Sequence, residues 1–289
     1  MHDLVRLYAR GLDAQPDTLK LVLDHYITTA LAALAAAEPG NEDCFPLPAD
    51  HMMPAAVREF TDRPAAVAWY AAERDALMLS VAAAHAAGLH GRTWRIAMTM
   101  WPLIAWRVRE GWSPLLRSAL DVARADTDQH GEARVLNVLG WVLTEEGRIS
   151  EALTHLKAAS ALASRTGDAT AEANALIVQA MAQAALAQLD NAAQGCQRAA
   201  ELARTAGDRT IERLALQHLA RHLSDAGKWR QAPDAASRAL VFDDRPDTAH
   251  VPQDPAAHRE GRGPRRTRER NRGHRSARPS RPRGTVVRI

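Results

Sequence analysis

Cysteine and aromatic side chains are scarce in this sequence. Two cysteines, Cys44 and Cys196, occur in 289 residues, and neither belongs to a CxxC or Cys/His cluster. That usage excludes a disulfide framework and offers no zinc-ligand spacing. Aromatics make up 4% of the chain against 46% hydrophobic residues, so the apolar content is mostly alanine and leucine. Both enter helices at little cost. Few segments show the alternating β-branched runs of strands. The opening Met1 to Arg6 has no basic stretch followed by an apolar core, so no signal peptide is read there. The longest Ala/Leu run, Ala30 to Ala37, is too short to cross a bilayer. A cytoplasmic protein without membrane contact is the expectation. Catalytic patterns are missing as well. There is no HExxH, no nucleophile elbow and no GxxxxGK[ST] phosphate loop. His85 and His90 stand five apart, and His155, His218 and His222 fall along helical segments. No catalytic site, cofactor or metal is expected, and the chain does not read as an enzyme.

Charge is present but unevenly placed. The whole chain has 37 Lys+Arg and 34 Asp+Glu. From Arg245 onward there are 13 arginines, four acidic residues and no leucine. The basic pI therefore describes residues 245–289, while the remainder is net acidic. The Arg/Pro-rich segment cannot bury enough apolar surface to offset its ordering entropy and reads as a disordered tail. Arginines there offer nonspecific phosphate contact with nucleic acid, without aromatics for base stacking.

Helical periodicity runs through the rest. Residues 1–10 read as a short helix, and Pro16 to Ala37 as a long one with Leu19, Leu23, Ile27, Leu31 and Leu34 at helical spacing. Asn41 to Pro54, with three prolines, reads as a loop. A helix starts at Thr61 to Pro64 and runs to about Ala87, and Gly88 and Gly91 mark a turn. Thr93 to Arg109 reads as a helix that Pro102 kinks, followed by Pro114 to Ala125. Five of the seven tryptophans lie between positions 69 and 112, which reads as a dense core patch.

Beyond residue 126 the sequence repeats with a period of 40. Gly167-Asp168 returns as Gly207-Asp208, and Gly140 aligns with Ala180 and Ala220. Leu136, Leu139, Gly140 and Leu143 with Ala152, Leu156 and Ala159 make the first unit. Leu176, Ala180, Ala192, Cys196 and Ala199 make the second, with Cys196 as a small core residue. Leu216, Leu219, Ala220, Leu223, Gly227, Ala232 and Ala239 make the third. Small residues at 140, 180 and 220 permit close helix approach, and the apolar slots bury faces that one helix pair cannot cover alone. The pattern is similar to that of tetratricopeptide (TPR) repeats, with 40 residues in place of the usual 34. The fold class expected is all-α: a right-handed α-α superhelix of TPR-type pairs over residues 127–244, preceded by a helical linker over 11–126. An exposed apolar end of such an array favours a homo-oligomer.

The order of further motifs carries a wider resemblance. Met1-His2-Asp3-Leu4 with Tyr8-Ala9-Arg10 is similar to the MHD segment that closes an NB-ARC nucleotide-binding module. Trp69, Ala72-Glu73, Leu77 and Trp101-Pro102 then precede the repeats. In this order the chain resembles the C-terminal part of actinobacterial NB-ARC-TPR transcriptional regulators of the SARP type. The resemblance implies that residues 1–10 correspond to the winged-helix end of the NB-ARC module, with Met1, His2 and Asp3 as a vestigial MHD motif. The family's phosphate loop and DNA-binding domain are not in this sequence, so a truncated, sensor-type module of such a regulator is expected. TPR grooves bind proteins or peptides along their first helices. Register places Arg134, Asn137, Trp141 and Glu145 in that groove from the first unit. Asn174, Ile177 and Met181 follow from the second, and Gln217, Arg221 and Asp225 from the third. Nucleic acid enters this reading only through the tail.

Overall fold

The computed structural model describes residues 16–37, 45–107 and 110–242, and the statements below concern those residues. The readings of residues 1–10, with Met1, His2 and Asp3, and of the segment 245–289 lie outside them.

Every regular element among the described residues is a helix. Helix α1 is Pro16–Ala37 and α2 is Arg63–Ala86. Asp62 caps α2 by accepting from Ala65 N at 2.8 Å, and Pro64 sits in the first turn where its missing N–H costs nothing. The expected helix Thr93 to Arg109 is in fact two: α3 (His90–Thr99) and α4 (Trp101–Trp106). Pro102 stands in the first turn of α4, so it divides the helix instead of kinking it. Gly91, expected in a turn, lies inside α3. At the break the Tyr70 hydroxyl sits between the carbonyls of Thr99 (2.7 Å) and Ala30 (2.9 Å), joining α1, α2 and α3. Helix α5 is Ser113–Ala125. The expected aromatic core is there: Trp69, Tyr70, Trp94 and Trp112 are buried.

The repeat period reappears in the helix boundaries. Helices α6 (Gln129–Glu145), α8 (Ala169–Ala185) and α10 (Arg209–Asp225) start forty residues apart. Between them run α7 (Ile149–Thr166) and α9 (Leu189–Ala206), and α11 (Ala232–Leu240) follows. Each helix packs on the next, and α8 also packs on both α6 and α10. The result is a repeat-like stack of helix pairs. Asp128, Asp168 and Asp208 cap the three first helices, each accepting at 2.9 Å from the backbone N of Gly131, Ala171 and Ile211. Two of these caps do a second job: Asp168 Oδ2 accepts from Arg134 at 3.2 Å and Asp208 Oδ2 from Thr170 at 3.2 Å, tying each first helix to the next.

Turn positions repeat too. Residues 147, 187 and 227 are left-handed, as are 127, 167 and 207, and glycine fills four of the six. The exceptions are Ala187 (φ 59°) and Thr127 (φ 53°). A Cβ there is strained. Ala187→Gly and Thr127→Gly are each expected to raise stability by about 0.5–1 kcal/mol, after the entropy glycine adds to the unfolded chain. Urea midpoints check this, and an unchanged or lower midpoint would contradict it.

Helix α1 carries more apolar length than the Ala30 to Ala37 run suggested. Thr18–Ala37 is the one described segment long and apolar enough to cross a membrane. In this structure its inner face holds Leu23, Ile27 and a fully buried Asp24, and packs against α2 and α3.

Candidate functional site

A cavity of about 430 Å³ opens where the N-terminal halves of α6 and α8 and the first turn of α10 face α1, α3 and α4. Its walls are built in three layers. Trp101 of α4 and Trp141 of α6 form a pair with centroids 5.1 Å apart and planes at 64°, an edge-to-face contact. Leu34, Met98, Val138, Val178 and Ile211 complete the apolar lining. Arg134, Asn137, Thr170, Asn174, Asp208 and Arg209 supply polar groups.

Phe45 closes one side, standing edge-on to Trp94 at 5.3 Å. It belongs to the proline-rich loop, and two arginines of α3 hold that loop down. Arg95 Nε donates to the Pro46 carbonyl at 2.7 Å, and Arg92 Nη2 donates to the Asp50 carbonyl at 3.0 Å. Arg92 also forms a two-pronged pair with Asp24, Nε to Oδ1 at 2.8 Å and Nη2 to Oδ2 at 3.0 Å. Asp24 in turn accepts from Met52 N at 2.9 Å and has His51 Nδ1 3.1 Å away. Asp24 is 0% and Arg92 4% exposed, so their charges are held in low dielectric, where geometry of this quality is required. This network fixes the loop, and the loop fixes the cavity wall.

The structure brings four of the sequence-derived groove residues together: Arg134, Asn137, Trp141 and Asn174 line the cavity. Glu145, Met181, Gln217, Arg221 and Asp225 do not line it. Ile177 is a correction. It is 1% exposed and belongs to the core with Ile211, Ala215 and Leu216. Position 137 faces the N-terminal helices across open space, whereas position 177 meets the third helix pair directly, so equal register places them in different surroundings. Trp141 is half-buried against Trp101. The contributions of Leu34, Phe45, Met98 and Trp101 have no signal in the repeat pattern. Only the tryptophan-rich patch hinted that something aromatic would stand near Trp141.

The charged lining is partly engaged by its neighbours. Arg134 is bound to Asp168, Asp208 is bound to Thr170 and its own helix N-terminus, and the Arg209 guanidinium lies over the Phe242 ring at 5.3 Å. The side-chain amides of Asn137 and Asn174 make no hydrogen bond to another described residue, and Asn137 Oδ1 and Arg134 Nε are buried without a partner. Cys196 is buried, and desolvation pushes its thiol up to about 12, so it stays protonated and inert. No group of three or more His, Cys, Asp or Glu among the described residues is arranged to hold a metal.

His218 and His222 stack on α10 with centroids 6.0 Å apart. Burial, then the Arg221 charge, pulls His218 down to about 3 and His222 to about 4. Nearby Asp225 opposes the shift at His222. Both nitrogens of His222 are buried without partners. A depressed histidine is neutral in the fold while the unfolded chain takes up its proton near pH 6.5. Stability is therefore full above that pH and falls as pH drops from about 6.5 toward 4, with a slope of up to about 1.4 kcal/mol per pH unit for each histidine. Urea titrations at stepped pH check this: His222→Leu should flatten the slope, and an unchanged slope would remove the assignment.

The chain matches no protein-family model, and no curated protein is significantly similar to it.

Proposed function

We propose that this chain is the sensor part of a transcriptional regulator of the signalling-ATPase type. On this reading its helix pairs are a TPR-type superhelix that binds a protein or peptide partner in the cytoplasm, without catalysis, cofactor or membrane contact. The observation that carries it is the convergence of Arg134, Asn137, Trp141 and Asn174, from first helices of successive units, on one cavity faced by Trp101. Concave sites with an apolar body and a few convergent polar groups are where ligands bind, and a partly exposed tryptophan is the residue type that anchors interfaces. The family resemblance of residues 1–244 supplies the regulatory context.

Selection of a random peptide library on the purified full chain tests this reading. Enriched peptides should bind at micromolar strength, and Trp141→Ala should weaken them by about 2 kcal/mol, roughly thirtyfold. Failure to enrich any sequence, or binding indifferent to Trp141→Ala, would overturn it. The 13 arginines of residues 245–289 favour a second reading, a nucleic-acid-associated protein. Deleting that segment separates the two: lost DNA or RNA binding supports the second, and unchanged peptide binding supports the first.

A further inference from the structure

We infer that the cavity takes a small, flat fused-ring ligand that presents a hydrogen-bond donor and acceptor along one edge. The inference deepens the proposed reading of this cavity as the binding site and rests on it. Three observations carry it. First, at about 430 Å³ the space is that of a compact compound, within the range of about 300–1,000 Å³ of small-molecule pockets. It spans the α6, α8 and α10 side of the stack but stops short of Glu145, Met181, Gln217, Arg221 and Asp225, while Leu34 and Phe45 close the other side. Second, its body is aromatic and apolar: Trp101, Trp141, Met98, Val138 and Val178 present surfaces to a ring system. Third, the polar groups divide. Arg134 and Asp208 are bound to Asp168 and Thr170, and Arg209 lies over Phe242. The groups with unused capacity are the carboxamides of Asn137 and Asn174 and the buried Nε of Arg134. A carboxamide offers both a donor and an acceptor, so its complement is an amide-like or lactam-like edge.

The probe is 2-quinolinone, a flat bicyclic lactam, titrated calorimetrically into the full chain. The expected result is saturable one-to-one binding of the lactam. Asn174→Leu should weaken the lactam by about tenfold by removing its hydrogen-bonding edge. Val138→Trp, which fills the cavity, should abolish binding. The half-exposed Asn174 position keeps the test sound if Val138→Trp fails to fold. No saturable binding of the lactam, or binding unaffected by Asn174→Leu, would overturn the inference. The peptide selection is a separate readout: peptides that depend on Trp141 in the absence of lactam binding would sink the ligand class alone, leaving the interaction module in place.

Discussion

Arg92→Met is expected to lower the unfolding free energy by about 3–5 kcal/mol, the cost of leaving a buried carboxylate without its counter-charge. Asp24 is the reason. It lies fully buried on α1, and Arg92 binds both of its oxygens across 68 residues of sequence. The second ion pair of Arg92, with Asp50, contributes much less because the Asp50 side chain is 57% exposed. Removing both buried charges should recover most of the loss, so Asp24→Leu combined with Arg92→Met should stand well above Arg92→Met alone. Chemical denaturation followed by circular dichroism measures the series. Limited proteolysis gives a second readout, since the loop that carries Phe45, Asp50 and His51 loses its anchor and should be cut earlier. An Arg92→Met protein within about 1 kcal/mol of the parent would show that the pair is not what fixes this loop. The consequence reaches the cavity, because a loosened Phe45 removes one of its walls.

Gly140→Ala should cost about 1–3 kcal/mol by overpacking, even though alanine is the better helix former. A Cβ at Gly140 would stand 2.5 Å from Leu156 Cγ and 2.6 Å from its Cδ2, and Leu156 is fully buried with nowhere to retreat. The same positions in the later units hold Ala180 with Cys196 and Ala220 with Ala236. Where alanine replaces the first-helix glycine, a residue smaller than leucine stands on the second helix. Leu156→Cys alone should cost about 2 kcal/mol or more through the cavity it leaves. Combined with Gly140→Ala it reproduces the second unit, and the double variant should lose at least about 1 kcal/mol less than the sum of the singles. Strict additivity in a double-mutant cycle would mean that the two positions do not share one packing slot.

The helices themselves were legible because their signals are local. The Gly-Asp pairs at 167–168 and 207–208, Gly227 and the forty-residue period act within a few residues of the backbone they shape, and the helix boundaries fall at them; that the two aspartates cap helices is shown by the structure. Gly140 was legible as a packing slot for the same reason, since its partner lies in the adjoining helix. Pro102 was read as a kink and proved to be a break. Local sequence marks the missing N–H but not the neighbouring packing, including the Tyr70 hydroxyl at the end of α3, that settles between a bent helix and two separate ones.

The candidate site divides along the same line. Sequence alone determined an all-helical chain, its repeat length, the slots that pack within each pair, and Arg134, Asn137, Trp141 and Asn174 as neighbours along one line. Those properties follow from spacing along a helix of fixed pitch. Tertiary structure alone decided that Ile177 joins the core, that Trp101 meets Trp141, that Arg92 reaches Asp24, and that a proline-rich loop closes the cavity with Phe45. Each of these joins residues from elements far apart in the chain. Such contacts depend on which surfaces are left uncovered once the helices stack, and helical periodicity carries no information about that.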